Sequence, residues 1–298
     1  MTLVLLILVP LVGGMAAWFV GRRNADVCRW FSLAVVLAEL LLALRLWARH
    51  FDTADLGSSG PWLEVFQRSW MPDLGISIIL AVDGLSLLMI VLTAFIGVMA
   101  VVVSWREIET RVGIYFACLL WVLAGITGVF MALDLFLFYF FWEVMLIPMY
   151  FLIGVWGHER RIYAAVKFFI FTLVGGLLML VSILALYLTH AAETGIHTFS
   201  YTELLGTPVA SPAAFWIMLG FFVAFAVKLP AVPIHNWLPD AHTEAPTAGS
   251  LILAALLLKT GAYGLIRFVG PLFPEASATM VPWALWLGVL GIIYGAVL

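Results

Sequence analysis

The chain has 298 residues, of which 65% are hydrophobic and 10% charged, and its formal net charge is −3. Soluble domains carry about 25% charged residues, and nucleic-acid-binding domains show a basic surface. The composition therefore excludes an ordinary soluble enzyme, a disordered chain and a nucleic-acid-binding protein. It predicts an all-α integral membrane protein, built as a polytopic bundle of helices.

Nine apolar runs follow one another along the chain, each close to the length that a membrane-spanning helix needs. They predict spans at Leu3–Val20, Phe31–Trp47, Ile78–Val103, Ile114–Leu133, Leu135–Trp156, Tyr163–Leu188, Ala213–Trp237, Ala248–Phe268 and Pro282–Leu298. The first run is not expected to be a removable signal, because no cation precedes it and two arginines follow it. The last run is still apolar at Leu298, so we expect the chain to be cut within its ninth helix. The alternative is a terminus that lies in the membrane.

The arginines between the spans predict the orientation of the chain in the membrane. If the N-terminus is outside, cytoplasmic loops contain Arg22, Arg23, Arg29, Arg106, Arg111, Arg160 and Arg161. Because cytoplasmic loops carry an excess of cations, this orientation is favoured. The two longest loops, His50–Gly75 and His190–Pro212, are too short for a separate domain.

The chain contains no sequence motif for a metal or a redox cofactor. Nucleotide-binding, zinc-binding and nucleophile-elbow motifs are absent from the sequence. Cys28 and Cys118 lie in different apolar runs and have no metal-ligand spacing. We therefore predict no metal site and no cofactor in this chain.

All three lysines lie within predicted spans, whereas every cation in a loop is an arginine. A charge at the centre of a membrane helix costs about 2.5–3.5 kcal/mol. A buried lysine can exchange a proton near neutral pH, which an arginine cannot. Lys167 lies only one turn into its span and is expected to reach the membrane surface. Lys259 lies about 17 Å into its span and must face protein or water, either to carry protons or to form a structural ion pair.

Lys228 is followed by two prolines, Pro230 and Pro233, which lack amide hydrogens. They would free the carbonyls of Ala226 and Leu229, so the seventh helix is predicted to break near Lys228–Pro233. Broken backbone at membrane depth is tolerated only inside protein or beside water, and the negative end of a half-helix favours a cation. The alternative is a simple proline kink with a lysine that reaches the surface.

Glu143 is the strongest candidate for a partner of Lys228. It lies about 14 Å into its span, measured from Asp134, and no charge lies one turn away in its own helix. It therefore needs a partner on another helix or must stay protonated. Lys228 lies at a similar predicted depth. A carboxylate that moves toward or away from an ammonium changes its affinity for a proton.

His235 and His242 flank a polar stretch on the cytoplasmic side of the break. Histidine titrates near neutral pH, so these two residues are predicted as a possible proton entry toward Lys228 or Lys259. The alternative is an ordinary interfacial role. Asp83 and Asp134 lie at span starts and are expected to cap helices, whereas Glu39 lies near mid-depth without an evident role.

Four segments resemble the antiporter-like membrane subunits of respiratory complex I, the bacterial-type NADH:quinone oxidoreductase. They are Ala81–Val91, Phe141–Gly157, Phe225–Ser250 and Leu256–Arg267. The resemblance covers essentially the whole chain and is greatest to the middle antiporter-like subunit. The segment Trp237–His242 alone would not distinguish this family from Mrp-type cation/proton antiporter subunits.

The resemblance implies a proton-translocating subunit with an inverted-repeat fold. Residues 1–113 would form three N-terminal helices, 114–268 the first repeat, and 269–298 the start of a second repeat, cut in helix nine. Glu143, Lys228 and Lys259 would line a half-channel from the cytoplasmic side. The outward path would require helices that follow Leu298.

The resemblance also implies a setting in the bacterial inner membrane, with antiporter-like chains L and N on either side. FMN, iron–sulfur clusters and quinone would be bound by other subunits of the complex. Two other interpretations stay open: a subunit of an Mrp-type antiporter or of a membrane-bound hydrogenase, and a scaffold that only links other membrane subunits.

Overall fold

The computed structural model describes residues 1–50 and 61–297, and residues 51–60 and Leu298 lie outside this description. In chain order the elements are α1 (Thr2–Gly21), α2 (Ala25–His50), β1 (Glu64–Met71), β2 (Ile76–Val82), α3 (Gly84–Glu107), α4 (Val112–Met131), α5 (Leu135–Val144), α6 (Leu146–Trp156), α7 (Arg161–Thr194), α8 (Tyr201–Leu204), α9 (Ser211–Lys228), α10 (Trp237–Glu244), α11 (Thr247–Ile252), α12 (Leu258–Gly264), α13 (Gly270–Leu272) and α14 (Pro274–Val297).

Nine helical spans within the described residues are long and apolar enough to cross a membrane, which confirms the predicted number. The fifth span combines α5 and α6, and the eighth runs from Thr247 to Leu272 through α11, α12 and α13. Two π-helical segments, Leu253–Leu257 and Leu265–Val269, interrupt the eighth span. π-Helical segments are rare in proteins, and many of those that occur lie at functional sites.

An antiparallel hairpin occupies part of the predicted loop His50–Gly75 and the predicted start of the third span. Strand β1 pairs with β2, with Phe66 opposite Leu80, so the loop that contains β1 is structured where it is described. The third span starts at Gly84 and not at Ile78, because residues 76–82 form β2. A short apolar run rich in β-branched residues suits a strand as well as a helix, and hydropathy alone does not separate them.

Helix α4 is the centre of the bundle and is buried along nearly its whole length. It packs against α1, α3, α5 and α6. Gly21 of α1 lies directly on Gly113 of α4, and a Cβ on Gly21 would overlap the Gly113 backbone. Small residues at such contacts let membrane helices approach closely, as here.

Helix α7 connects the two ends of the bundle, about 51 Å apart by its length. At its start, the amide of Arg160 donates to Glu244 of α10. Near its end, the hydroxyl of Tyr187 donates to the carbonyl of Leu74, between the two strands. We call these the α10 end and the hairpin end.

Two aspartates cap helices at the hairpin end, as predicted. Asp83 accepts a hydrogen bond from the amide of Ser86 at the start of α3. Asp134 accepts from the amide of Leu137 in α5 and from that of Ser77 in β2. Burial raises the pKa of Asp134 to about 6, against the lowering effect of these amide donors. Asp134 thereby ties the hairpin to the start of the helix that carries Glu143.

The predicted break of the seventh span is confirmed, because α9 ends at Lys228 and the chain turns before α10 begins at Trp237. The prediction that this span continues to Trp237 is therefore wrong at its end. The ninth span begins at Pro274 and not at Pro282, which lies inside α14. Membrane helices tolerate a proline in their interior, so Pro282 does not mark the start of this one.

Candidate functional site

Lys228 is the last residue of α9, and its side chain is only 1% exposed. Its ammonium lies 5.0 Å from the ring centroid of Trp142 and 5.9 Å from that of Phe168. These distances permit cation–π attraction. The Nζ atom makes no hydrogen bond to any described residue. A lysine enclosed by aromatic rings inside a membrane protein is a functional candidate by default.

The break in α9 leaves backbone groups that the structure pairs locally. The carbonyl of Ala226 would normally accept from residue 230, but Pro230 has no amide hydrogen. The amide of Ala231 donates to this carbonyl instead, at 2.9 Å. The indole of Trp237 donates to the carbonyl of Val227, at 2.9 Å. Trp237 is fully buried. The first residue of α10 is thus fastened to the residue immediately before Lys228.

Glu143 lies on α5 and rests directly on Gly176 of α7. A Cβ on Gly176 would overlap the Oε1 atom of Glu143, so only glycine leaves space for the carboxyl group. The structure brings Glu143 and Lys228 close enough to interact electrostatically. The two charges do not form a direct ion pair within 4 Å.

Three buried polar atoms around this position have no hydrogen-bond partner among the described residues. They are Trp142 Nε1, Glu143 Oε1 and Lys228 Nζ. Most buried polar groups in proteins are paired, and clustered exceptions require an explanation such as a functional role or water. We call Glu143, Lys228, Trp142, Phe168 and Gly176 the buried cluster.

Lys259 lies apart from the buried cluster. Its side chain is exposed on the surface that the described residues form, and its Nζ atom donates to the carbonyl of Ala254 at 2.6 Å. Ala254 belongs to the first π-helical segment, so the ammonium binds a backbone carbonyl within that segment. The helices of the two lysines still meet at Gly261. A Cβ added to Gly261 would lie 3.2 Å from the Cβ of Lys228.

Lys167 forms an ion pair that the sequence did not predict. Its ammonium lies 2.6 Å from Asp240 of α10, and both side chains are partly exposed. The expectation that Lys167 reaches the membrane surface is compatible with this pair, because Asp240 lies in α10 at that end of the bundle. The pair joins α7 to α10 beside Trp237, whose ring lies 5.5 Å from that of Phe168.

The two histidines occupy different positions at the α10 end. The ring of His235 lies 5.1 Å from that of Tyr294 in α14, and its Nδ1 atom is buried without a partner among the described residues. His242 is exposed on α10. Neither residue is hydrogen-bonded to Lys228, whose ammonium has no such partner.

Glu39 lies outside the buried cluster. It is fully buried in α2 and accepts a hydrogen bond from the hydroxyl of Thr127 in α4, at 3.2 Å.

In the part of the chain that is described, no group of three or more metal-ligating side chains occurs.

Sequence reasoning identified the charges of the buried cluster but missed its other members. Trp142 adjoins Glu143 in the sequence, and an aromatic beside a deep charge is the signal that could have identified it. Phe168 and Gly176 had no such signal, because nothing in a single sequence shows which face of α7 meets α5.

A family model described as "NADH:quinone oxidoreductase/Mrp antiporter, TM" matches residues 132–298, which is more than half of the chain. The chain belongs to this family. The fold and the predicted family resemblance are thereby confirmed, and the chain is a multi-pass membrane protein of the antiporter-like type.

Individual members of the family show the same relationship. NADH-quinone oxidoreductase subunit M of Escherichia coli (strain K12) is 54% identical over 297 residues, covering 98% of this chain and 58% of that protein. A chain of respiratory complex I from Thermus thermophilus with bound NADH aligns with a TM-score of 0.82 and 33% identity, over 99% of this chain and 58% of that one.

A chain of the Mrp complex from Dietzia sp. DQ12-45-1b aligns with a TM-score of 0.77 and 25% identity, over 95% of this chain and 30% of that one. The family thus includes both types of complex. The chain spans a little over half the length of the curated relatives it matches.

Proposed function

We propose that the chain is a proton-translocating membrane subunit of an NADH:quinone oxidoreductase, of the subunit M type. The observation that carries this proposal is the buried cluster, in which Lys228 at the end of a broken membrane helix lies within electrostatic range of Glu143 on another helix. The high identity to proteins named subunit M supports the type of complex. FMN, iron–sulfur clusters and quinone would be bound by other subunits.

In the proposed mechanism, the proton moves between Glu143 and Lys228. Because they do not touch, the transfer requires a bridging water, which can hydrogen-bond to both groups. A carboxylate near the ammonium stabilises its charge, and a carboxylate that withdraws leaves the charge buried among Trp142 and Phe168. Electron transfer in the other subunits would drive this change of separation.

Lys259 is proposed as the next proton carrier after Lys228. Gly261 brings its helix against Lys228, and the carbonyl of Ala254 accepts a hydrogen bond from its ammonium within the eighth span. His235 and His242 lie at the α10 end and are proposed as the entry. Residues 114–268 would form one repeat, and 269–298 the start of a second.

We further propose that the chain lies in the bacterial inner membrane between antiporter-like chains L and N. The N-terminus would face the periplasm, and the arginine-rich loops the cytoplasm. A cysteine placed at Arg23 tests this orientation, because a membrane-impermeant thiol reagent added from the periplasm should not label it; labelling from that side would refute it.

The test of the proposed function compares two variants of Lys228 in the complete enzyme. Lys228→Ala and Lys228→Arg should each lower NADH-driven proton translocation in membrane vesicles by about 100-fold, the usual effect of losing a proton-transfer group. Lys228→Arg keeps the positive charge but cannot release its proton. Normal pumping by the arginine variant would show that Lys228 has a charge-balancing role only. Glu143→Gln and Lys259→Ala should also lower NADH-driven proton translocation in the same assay.

The alternative function, a subunit of an Mrp-type cation/proton antiporter, is favoured by one observation, the similarity to the Mrp complex of Dietzia sp.. That similarity has 25% identity, against 54% for the subunit M protein of E. coli. The two functions differ in the partner subunits that they require.

A further inference from the structure

A second buried polar network lies at the hairpin end, where the eighth span meets the start of α3. We call it the hairpin-end network, and it consists of Asp83, Ser86, Tyr263 and Arg267. The guanidinium of Arg267 lies 2.5 Å from the carboxylate of Asp83 and is also stacked on Trp62, at 5.0 Å from the ring centroid. Its side chain is only 12% exposed. The buried cluster contains none of these residues.

The hairpin-end network lies between Lys259 and the hairpin-end surface. Lys259, Tyr263 and Arg267 follow one another at intervals of four residues along the eighth span. Arg267 therefore lies about 12 Å beyond Lys259, toward the hairpin end. Tyr263 and Ser86 carry hydroxyl groups 3.2 Å apart. Because a hydroxyl can both donate and accept, this series could carry a proton from Lys259 toward Asp83.

While Arg267 is in place, the hydrogen-bond directions at Tyr263 prevent such a transfer. Its hydroxyl donates its single proton to the carbonyl of Phe130, at 3.1 Å. The Nε atom of Arg267 donates to the same hydroxyl oxygen, at 3.3 Å. The proton of Tyr263 is thus directed to a group that cannot pass it on.

The guanidinium of Arg267 is itself unable to relay a proton. A guanidinium has five donors and no acceptor, and it does not lose its proton in proteins. It cannot take part in a proton relay, and its fixed charge repels a cation that approaches from Lys259. The Asp83 carboxylate is occupied by Arg267 and by the amide of Ser86, at 2.5 and 2.8 Å.

We propose that Arg267, held by Asp83 and Trp62, is a barrier that stops protons leaking from Lys259 to the hairpin-end surface through Tyr263 and Ser86. This inference rests on the proposed function, because a barrier is needed only where Lys259 carries protons. A translocating subunit that conducted protons directly to the far side would dissipate the gradient that it helps to build.

The test measures passive proton leak in the complete complex, reconstituted in liposomes without NADH. A potassium diffusion potential drives protons, and an internal pH dye reports their entry. Arg267→Gln replaces the cation by an amide that both donates and accepts, so the leak should rise severalfold. The double variant Arg267→Gln/Tyr263→Phe lacks the hydroxyl relay and should return to the leak of the wild type.

The double variant separates a barrier from a purely structural tie. If Arg267 only holds the helices together, removal of a further hydrogen bond at Tyr263 should increase the leak. A leak of Arg267→Gln equal to that of the wild type, or unchanged by Tyr263→Phe, would overturn the proposal. Rates are compared per assembled complex. Arg267→Lys retains the pair with Asp83 but can release a proton, so its leak should be intermediate; a wild-type leak there would also count against the barrier.

This assay is independent of pumping. If Lys228→Arg pumps normally, the proposed proton path through Lys228 fails, whatever the leak shows. If the Lys228 variants behave as expected and Arg267→Gln does not leak, only the barrier fails.

Discussion

At the scale of single residues, the position of the Glu143 carboxyl group depends on an absent side chain. Gly176 leaves the space that Oε1 occupies, so the distance between Glu143 and Lys228 is set by packing on α7. Gly175, the adjacent residue, faces Ala224 and Val227 of α9, where a Cβ would make ordinary contacts at 3.4–3.5 Å. The two glycines therefore form a matched pair for an experiment.

Gly176→Ala should displace the Glu143 carboxyl group without unfolding the helix, because the atom it meets is the end of a flexible side chain. A displacement of about 1 Å at a reacting group can reduce a rate by up to about 100-fold. We expect a large loss of proton translocation in membrane vesicles with normal assembly, whereas Gly175→Ala should pump normally. Equal activity of the two variants would show that the Glu143 position is unimportant.

At the scale of elements, α10 covers the broken end of α9. Trp237 is bonded to Val227, and the Lys167–Asp240 pair joins the same short helix to α7. The backbone of Glu244 accepts a further bond from the amide of His158, at 2.9 Å. An eight-residue helix is too short to be stable alone, so these contacts hold it over Lys228.

Lys167→Met should loosen α10, because it removes one of its attachments. Partly exposed ion pairs contribute up to about 1 kcal/mol, which corresponds to roughly fivefold faster amide exchange. Hydrogen–deuterium exchange over Trp237–Glu244 measures this effect. The exchanged pair Lys167→Asp/Asp240→Lys should recover the slow rate; failure to recover would mean that another property of Lys167 holds the helix.

At the scale of the whole molecule, the surface near Lys259 and along α14 is apolar or charged and remains uncovered within residues 1–50 and 61–297. Lysine in contact with lipid at membrane depth is costly. Lys259 is therefore expected to face protein or water rather than lipid.

Affinity purification of the full-length protein from native membranes distinguishes the two types of complex. We expect NADH-oxidising and quinone-binding subunits to co-purify in equal amounts, and NADH:quinone activity to follow the tag. The activity should be independent of sodium. Recovery of antiporter subunits alone, with sodium/proton exchange and no NADH oxidation, would support the Mrp-type alternative.

Local chemistry explains what the sequence by itself determined about this protein. The nine spans follow from hydropathy, the break after Lys228 from the missing amides of Pro230 and Pro233, and the helix starts at Asp83 and Asp134 from capping. The functional importance of Glu143 and Lys228 was predicted because deep charges are costly in membranes. The β1–β2 hairpin was not predicted, because its apolar residues suit a strand and a helix equally.

Only the tertiary structure decided which groups meet. Gly176 under Glu143, Asp240 beside Lys167 and Asp83 beside Arg267 are contacts between helices far apart in the sequence. Such contacts depend on the rotation of each helix about its axis. Within a membrane every face of a helix can be apolar, so hydropathy does not define that rotation. Close packing of small and aromatic side chains does, and it brings the charges to their partners.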